Sequence, residues 1–292
     1  MLEKVKNSIR YLIPFGIVDA RRTNHTKKLV AERNNFHQLR REQIAKAISQ
    51  TSASAVTKVP EYTELINFLI NRGLPSEHVT DGSIPESSLN FIVSEIVGAL
   101  PTKPAGGYRG LHVGNFIGVS LATVTGALAA IDELSVMVSI DPNLTHRDIA
   151  HPQDHVLAML SHFNLQKHSL VIAGYSGSKS ISNDGVRFAE YDPASAFSSE
   201  AACEESLTSL ASIAAGKFHL ALVDGNHEGA YVARELENLA PLLADGAVLI
   251  LDDVNQAWDE IALLFSSLDR YGFEARSTDG RVGLAIYNGI KS

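Results

Sequence analysis

Three carboxylates and an imidazole lie close together in the second half of this 292-residue chain: Asp224, His227 and the adjacent pair Asp252 and Asp253. Asp224 closes the apolar run His219-Leu-Ala-Leu-Val223, and Asp252 closes Ala247-Val-Leu-Ile-Leu251. Continuous apolar runs joined by a helical segment too long for a hairpin read as neighbouring parallel strands buried on both faces. Such strands end at one edge of a sheet about 4.8 Å apart, so the three acids converge there. Converging carboxylates repel one another unless a cation or protons neutralise them. Taken singly, each residue has a plainer reading as a helix cap, a surface histidine or a strand end. Taken together they mark a site.

A second constellation lies upstream. The strand-like Arg109 to Val113 runs into Gly114-Asn115-Phe-Ile-Gly118 and then a helical pattern, so a glycine turn offers backbone amides and a helix N-terminus to a ligand. The spacing is not the G-x-G-x-x-G of a dinucleotide fold. Asp141, ending the next strand, is placed to accept both hydroxyls of a ribose, so Gly114, Asn115, Gly118 and Asp141 describe the seat of a nucleoside-containing cofactor. Ser176, just past the third strand, is placed to line an adenine pocket.

These residues need a sheet to position them, and the pattern supplies one. Strand and helix alternate from Arg109: a helix from about Val119 to Leu134, a strand from Val136 to Ile140, a helix from Asp154 to Phe163, a strand from Leu170 to Ala173, and a helix from Glu200 to Ala214 before the Phe218 stretch. Such alternation means a mainly parallel sheet covered by helices. A helix from about Ala257 to Tyr271 leads to two strands, Phe273 to Arg276 and Val282 to Tyr287, joined through Asp279-Gly280, a tight-hairpin signal that makes the last pair antiparallel. Upstream, Lys27 to Ser49, Tyr62 to Ile70 and Leu89 to Leu100 are helical in pattern, and the Pro/Gly-rich PTKPAGG at Pro101 to Gly107 is a connector. The expected division is a helical N-terminal arm or cap over residues 1–100 and an α/β domain over 101–292.

The segments LHVGNFIGVS, SIDPN, VDGNHEGAYVARELENLAPLLADGAVLILDDV and RVGLAIYN together resemble class I S-adenosylmethionine-dependent methyltransferases over roughly residues 105–288, closest to the metal-dependent sugar O-methyltransferases of the macrocin and mycinamicin type. The resemblance implies a Rossmann-like methyltransferase fold with S-adenosylmethionine as cofactor. It implies that Asp224, Asp252 and Asp253 hold a divalent cation, and that His227 acts with Asp224 in catalysis as the base. All-oxygen coordination favours Mg²⁺ over zinc. A cation so held would bind neighbouring hydroxyls and acidify one, while His227, in the first turn of the following helix, would stay neutral to take the proton. The implied acceptor is a sugar, glycoside or other polyhydroxylated small molecule. His112 departs from the pattern, standing where the family has an acid that helps hold the methionine part of the cofactor.

Charge and composition narrow the classes further. The net charge of −8 is the balance of a basic arm and an acidic body: residues 1–50 hold eleven Lys/Arg against four Asp/Glu, +7, which leaves 14 basic and 29 acidic residues, −15. An acidic body argues against nucleic acid as substrate. The arm suits packing on the chain's own body or a partner copy better than a membrane surface. Tyr11 to Val18 is too short to span a bilayer, and the single Cys203 suits a reducing, cytoplasmic setting. His151 and His155 have zinc-like spacing without companion ligands. Two other classes share parts of the pattern: a nicotinamide-dependent oxidoreductase, which should carry the missing glycine fingerprint, and a non-catalytic methyltransferase-like binding protein.

Overall fold

In a computed structural model of the chain, residues 59–176, 207 and 217–289 are described, and seven of their segments form one sheet. The strands are β1 (Arg109–Val113), β2 (Val136–Asp141), β3 (Ser169–Ala173), β4 (Phe218–Val223), β5 (Leu243–Leu251), β6 (Phe273–Thr278) and β7 (Gly283–Tyr287). Their order is β3-β2-β1-β4-β5-β7-β6. The first five are mutually parallel, with Leu111 opposite Ala221 and Ala221 opposite Leu249, whereas β7 runs antiparallel to both β5 and β6. This is the expected Rossmann-like methyltransferase sheet with its C-terminal antiparallel hairpin. The chain reverses its direction of strand addition between β1 and β4, which leaves a crevice at their carboxyl ends.

Helices cover both faces, and the strand residues divide between them with period two. One face carries Leu220, Leu222, Val248 and Ile250 against α1 (Tyr62–Asn71), α2 (Ser76–Asp81), α3 (Glu86–Ala99), α4 (Val119–Ile131) and α5 (Pro152–His162). Leu89, Ile92 and Ile96 of α3 fall on one stripe at helical spacing and are fully buried. Helix α4 is apolar all round because α1 and α3 pack over it, burying every residue from Val119 to Ala129. The other face carries Leu111, Val138, Ile140, Ala221, Leu249 and Leu251 against α6 (Gly229–Leu239) and α7 (Asp259–Ser266). Each fully buried leucine of this kind contributes roughly 1.5–3 kcal/mol. Among the described residues no helix is long and apolar enough to cross a membrane.

Two local readings differ from expectation. The helix expected from Ala257 to Tyr271 is three pieces: a 3₁₀ turn at Gln256–Trp258, α7, and a second 3₁₀ turn at Leu268–Tyr271. The hydroxyls of Ser266 and Ser267 donate back to the carbonyl of Leu263, competing with the helix ladder at the break. His227 lies in the loop before α6, whose first residue is Gly229, and not in the helix's first turn. The basic arm, the helices expected over 27–49 and 200–214, and the polar stretch after Ser176 lie outside the described residues.

Candidate active site

Two glycines and one acid shape the first wall. Gly114 has φ +78°, and a Cβ there would lie 2.0 Å from the carbonyl oxygen of Asp224, so only glycine lets the ends of β1 and β4 come this close. Gly118, at φ +94°, turns the chain into α4. Asp141 braces the turn between them: its Oδ2 accepts from the backbone N–H of Asn115 (2.9 Å) and Phe116 (3.0 Å), and its Oδ1 from Asn143 (2.8 Å). Burial pushes the Asp141 carboxyl up, against these three donors, which favour its charged form. A carboxylate has about four acceptor sites, so Oδ1 keeps one for a ligand hydroxyl.

The turn opens on a cavity of about 460 Å³, within the range of small-molecule sites. Gly174, Tyr175 and Ser176, beyond β3, form its far end with Tyr231 and Glu235 of α6. Ser176 Oγ donates to Glu235 Oε1, while Oε2 is buried with no partner among the described residues. Burial raises the Glu235 pKa to about 8, the Ser176 hydrogen bond opposing it, so the carboxyl is mainly protonated at neutral pH. Such a group can both donate and accept, which matches the ring nitrogen and exocyclic amine on one edge of adenine.

Asp224 and His227 stand at the near end. The left-handed backbone of Asp253 (φ +57°) turns the chain sharply after β5, leaving Asp252 and Asp253 beside Asp224. Burial first, then the charges of Asp252 and Asp253 and a hydrogen bond with Asp252, push the Asp224 carboxyl well up, with Arg281 opposing. His227 Nε2 lies 2.8 Å from Asp253 Oδ2, and its ring stacks on Trp258 at 4.4 Å and 20°. Arg281, just before β7, holds Asp252 in a two-pronged grip, Nε to Oδ1 at 3.0 Å and Nη2 to Oδ2 at 2.8 Å, and lies 3.6 Å from Asp253 Oδ1.

The structure thus brings Gly114, Asp141, Ser176, Asp224 and His227 to one cavity wall, with Asp252 and Asp253 beside Asp224. Asn115 and Gly118 do not line it: the Asn115 side chain turns inward to donate to Ser139 Oγ at 2.7 Å. His112 is fully buried against Ser120 and does not line the cavity. His151 precedes α5, and His155 Nδ1 accepts from Arg72, so the two histidines form no zinc pair.

A nucleoside cofactor fits this cavity, since Glu235 Oε2 and Asp141 Oδ1 offer polar atoms to it. A divalent cation does not fit the acids as they stand. Both oxygens of Asp252 accept from Arg281 and Asp253 Oδ2 lies against His227, so an ion among these acids would face a guanidinium. Like unit charges 4 Å apart cost about 4 kcal/mol near a protein surface. Among the described residues no group of three or more His, Cys, Asp or Glu has the geometry to hold a metal.

Residues 111–254 match the family described as a methyltransferase domain, and the sheet order above is that of a Rossmann-like methyltransferase fold. None of the curated proteins compared matches the sequence. Similar solved structures include an O-methyltransferase from Bacillus cereus in complex with SAH (13% identity, 79% of this chain and 92% of that one, TM-score 0.49). Others are the SAH-bound methyltransferase PaMTH1 from Podospora anserina (13%, 86% and 96%, 0.49) and CalS11, a TDP-rhamnose 3'-O-methyltransferase of calicheamicin biosynthesis (16%, 78% and 93%, 0.44).

Proposed function

We propose that this protein is an S-adenosylmethionine-dependent O-methyltransferase acting on a hydroxyl of a sugar or other polyhydroxylated small molecule. The observation that carries the reading is the His227–Asp253 pair beside the cavity whose wall holds Gly114, Asp141 and Ser176. An alcohol must lose its proton as it is methylated, and an imidazole oriented by a carboxylate is the group suited to take it.

Asp141 would hold the ribose through its remaining acceptor site, and Glu235 with Ser176 would read the adenine edge. Bound in this way, S-adenosylmethionine supplies an electrophilic methyl on a sulfonium. With Asp253 accepting from Nε2–H, His227 presents the Nδ1 lone pair as the base. The Asp224 carboxyl orients the acceptor, and Trp258 backs the imidazole. Held by Asp141, Glu235 and Ser176, the cofactor would supply the methyl and keep the carbon–sulfur electron pair as adenosylhomocysteine, while His227 would take the proton of the acceptor hydroxyl. A cytoplasmic setting and association through the N-terminal arm belong to the same reading.

The test is to incubate the full chain with S-adenosylmethionine and panels of sugar nucleotides, glycosides, phenols and amines, and to follow adenosylhomocysteine. Turnover that requires a polyhydroxylated acceptor is expected. Turnover confined to amines would overturn the acceptor class, and reduction of a nicotinamide cofactor would move the chain to the oxidoreductases.

A further inference from the structure

The acids at the near end of the cavity already have a cation, and it belongs to the chain. Arg281 is anchored at every level. Its N–H donates to Asp279 Oδ1 (2.9 Å), its carbonyl accepts from Val254 N–H (2.8 Å), and its guanidinium binds Asp252 through two parallel bonds. The Asp279 carboxylate also accepts from Val282 N–H (2.7 Å), which fixes the turn that delivers the arginine. The register of the sheet makes the placement inevitable. Leu251 pairs with Gly283, so the residues entering β7 from the hairpin meet the residues leaving β5. A planar guanidinium matches a carboxylate in a way a mobile surface lysine does not.

We propose that Arg281 is the resident cation of the Asp224–Asp252–Asp253 cluster, a positioning residue that neutralises and orients these acids so that the site needs no divalent ion. Its link to catalysis rests on the methyltransferase reading above, but its occupancy of the cation position does not. Removing the guanidinium leaves these three carboxylates with no counter-charge among the described residues; their present spacing holds no metal, but without the arginine they can close on a hard cation through oxygen donors. Arginine and divalent metal are therefore mutually exclusive occupants of one place.

The experiment is a titration of the full chain with Mn²⁺, bound ion being read by electron paramagnetic resonance, for wild type, Arg281→Met and Arg281→Lys. Adenosylhomocysteine calorimetry and melting curves report whether each variant is folded. The expected result is no bound Mn²⁺ in wild type up to about 1 mM, the weak end of protein sites for hard cations, and binding at least about 10-fold tighter in Arg281→Met. Arg281→Lys, which keeps a positive charge but loses the two-pronged grip, should still exclude the ion as wild type does while losing part of the activity. Methyl transfer by wild type should survive a chelator, and added Mn²⁺ or Mg²⁺ should restore part of the activity lost in Arg281→Met. Micromolar Mn²⁺ binding by wild type would overturn the proposal without any variant. So would a folded Arg281→Met that binds no better than wild type. A chain that neither binds adenosylhomocysteine nor transfers methyl would instead sink the methyltransferase reading, and the Mn²⁺ titration would still decide who occupies the cluster.

Discussion

His227 Nε2 and Asp253 Oδ2 are 2.8 Å apart, so the carboxylate that ends the β5 corner fixes the tautomer of the imidazole that follows β4. Replacing His227 with Gln keeps a polar side chain of similar reach and removes the basic nitrogen. Methyl transfer should fall by about 10²-fold or more, the usual contribution of a general base. Adenosylhomocysteine affinity should hardly change. Equal turnover by variant and wild type at saturating substrates, across pH 6 to 9, would remove the base assignment and leave the fold and cofactor untouched.

His112 gives the stability an acid limb. Its ring is fully buried, and burial lowers its pKa from 6.5 to about 3, so the folded protein keeps it neutral while the unfolded chain protonates it. The contribution is fully present above pH 6.5 and is lost as pH falls toward 3, at about 1.4 kcal/mol per pH unit. In urea unfolding between pH 6.5 and 4.5, His112→Gln should show a shallower decline than wild type. Parallel curves would show that the ring is charged or solvated in the folded state.

Glu235 works in the opposite direction. Its folded pKa of about 8 lies above the ordinary 4.5, so the folded protein retains a proton that the unfolded chain releases. Stability should fall as pH rises from 4.5 and level off beyond 8, and Glu235→Gln, which cannot ionise, should flatten this limb by about 1.4 kcal/mol per pH unit. Matching slopes for the two proteins would mean that Glu235 is ionised in the fold. If the carboxyl also reads adenine, the variant should keep an amide's donor and acceptor and bind adenosylhomocysteine within about 10-fold of wild type, whereas Glu235→Leu should lose more.

Asp141 is a structural brace as well as a ligand group. Asp141→Asn would place an amide among three backbone donors that need acceptors, and a hydrogen bond to a charged group is worth about 1.5–3 kcal/mol. Thermal unfolding should show a loss of that order, together with weakened adenosylhomocysteine binding. Unchanged melting would contradict the brace.

The sheet was legible because its strands are continuous apolar runs ending in acid, and Asp279-Gly280 announced the antiparallel pair. The start of α6 was less so, because Asn226 Oδ1 accepts from Glu228 N–H and Glu260 from the neighbouring α7 accepts from Gly229 N–H, so the helix is capped partly from outside its own sequence. Two site residues escaped. Glu235 was signalled by a charged residue on the apolar stripe Val232, Leu236, Leu239, which buries it. Arg281 was reachable from the hairpin: β7 antiparallel to β5 must bring the turn to Asp252. Convergence of the acids was read from the strand ends, but whether a metal, protons or an arginine would neutralise them depends on contacts between residues 29 apart.

The central claim is that the cavity between Gly114, Asp141 and Ser176 is a nucleoside–sulfonium site, and calorimetric titration of the full chain with adenosylhomocysteine tests it most directly. Saturable one-to-one binding in the micromolar range is expected, weakened by Asp141→Asn and unaffected by nicotinamide dinucleotide present in excess. No heat of binding at about millimolar adenosylhomocysteine, a free energy of only some −4 kcal/mol, or displacement by the dinucleotide, would contradict the account.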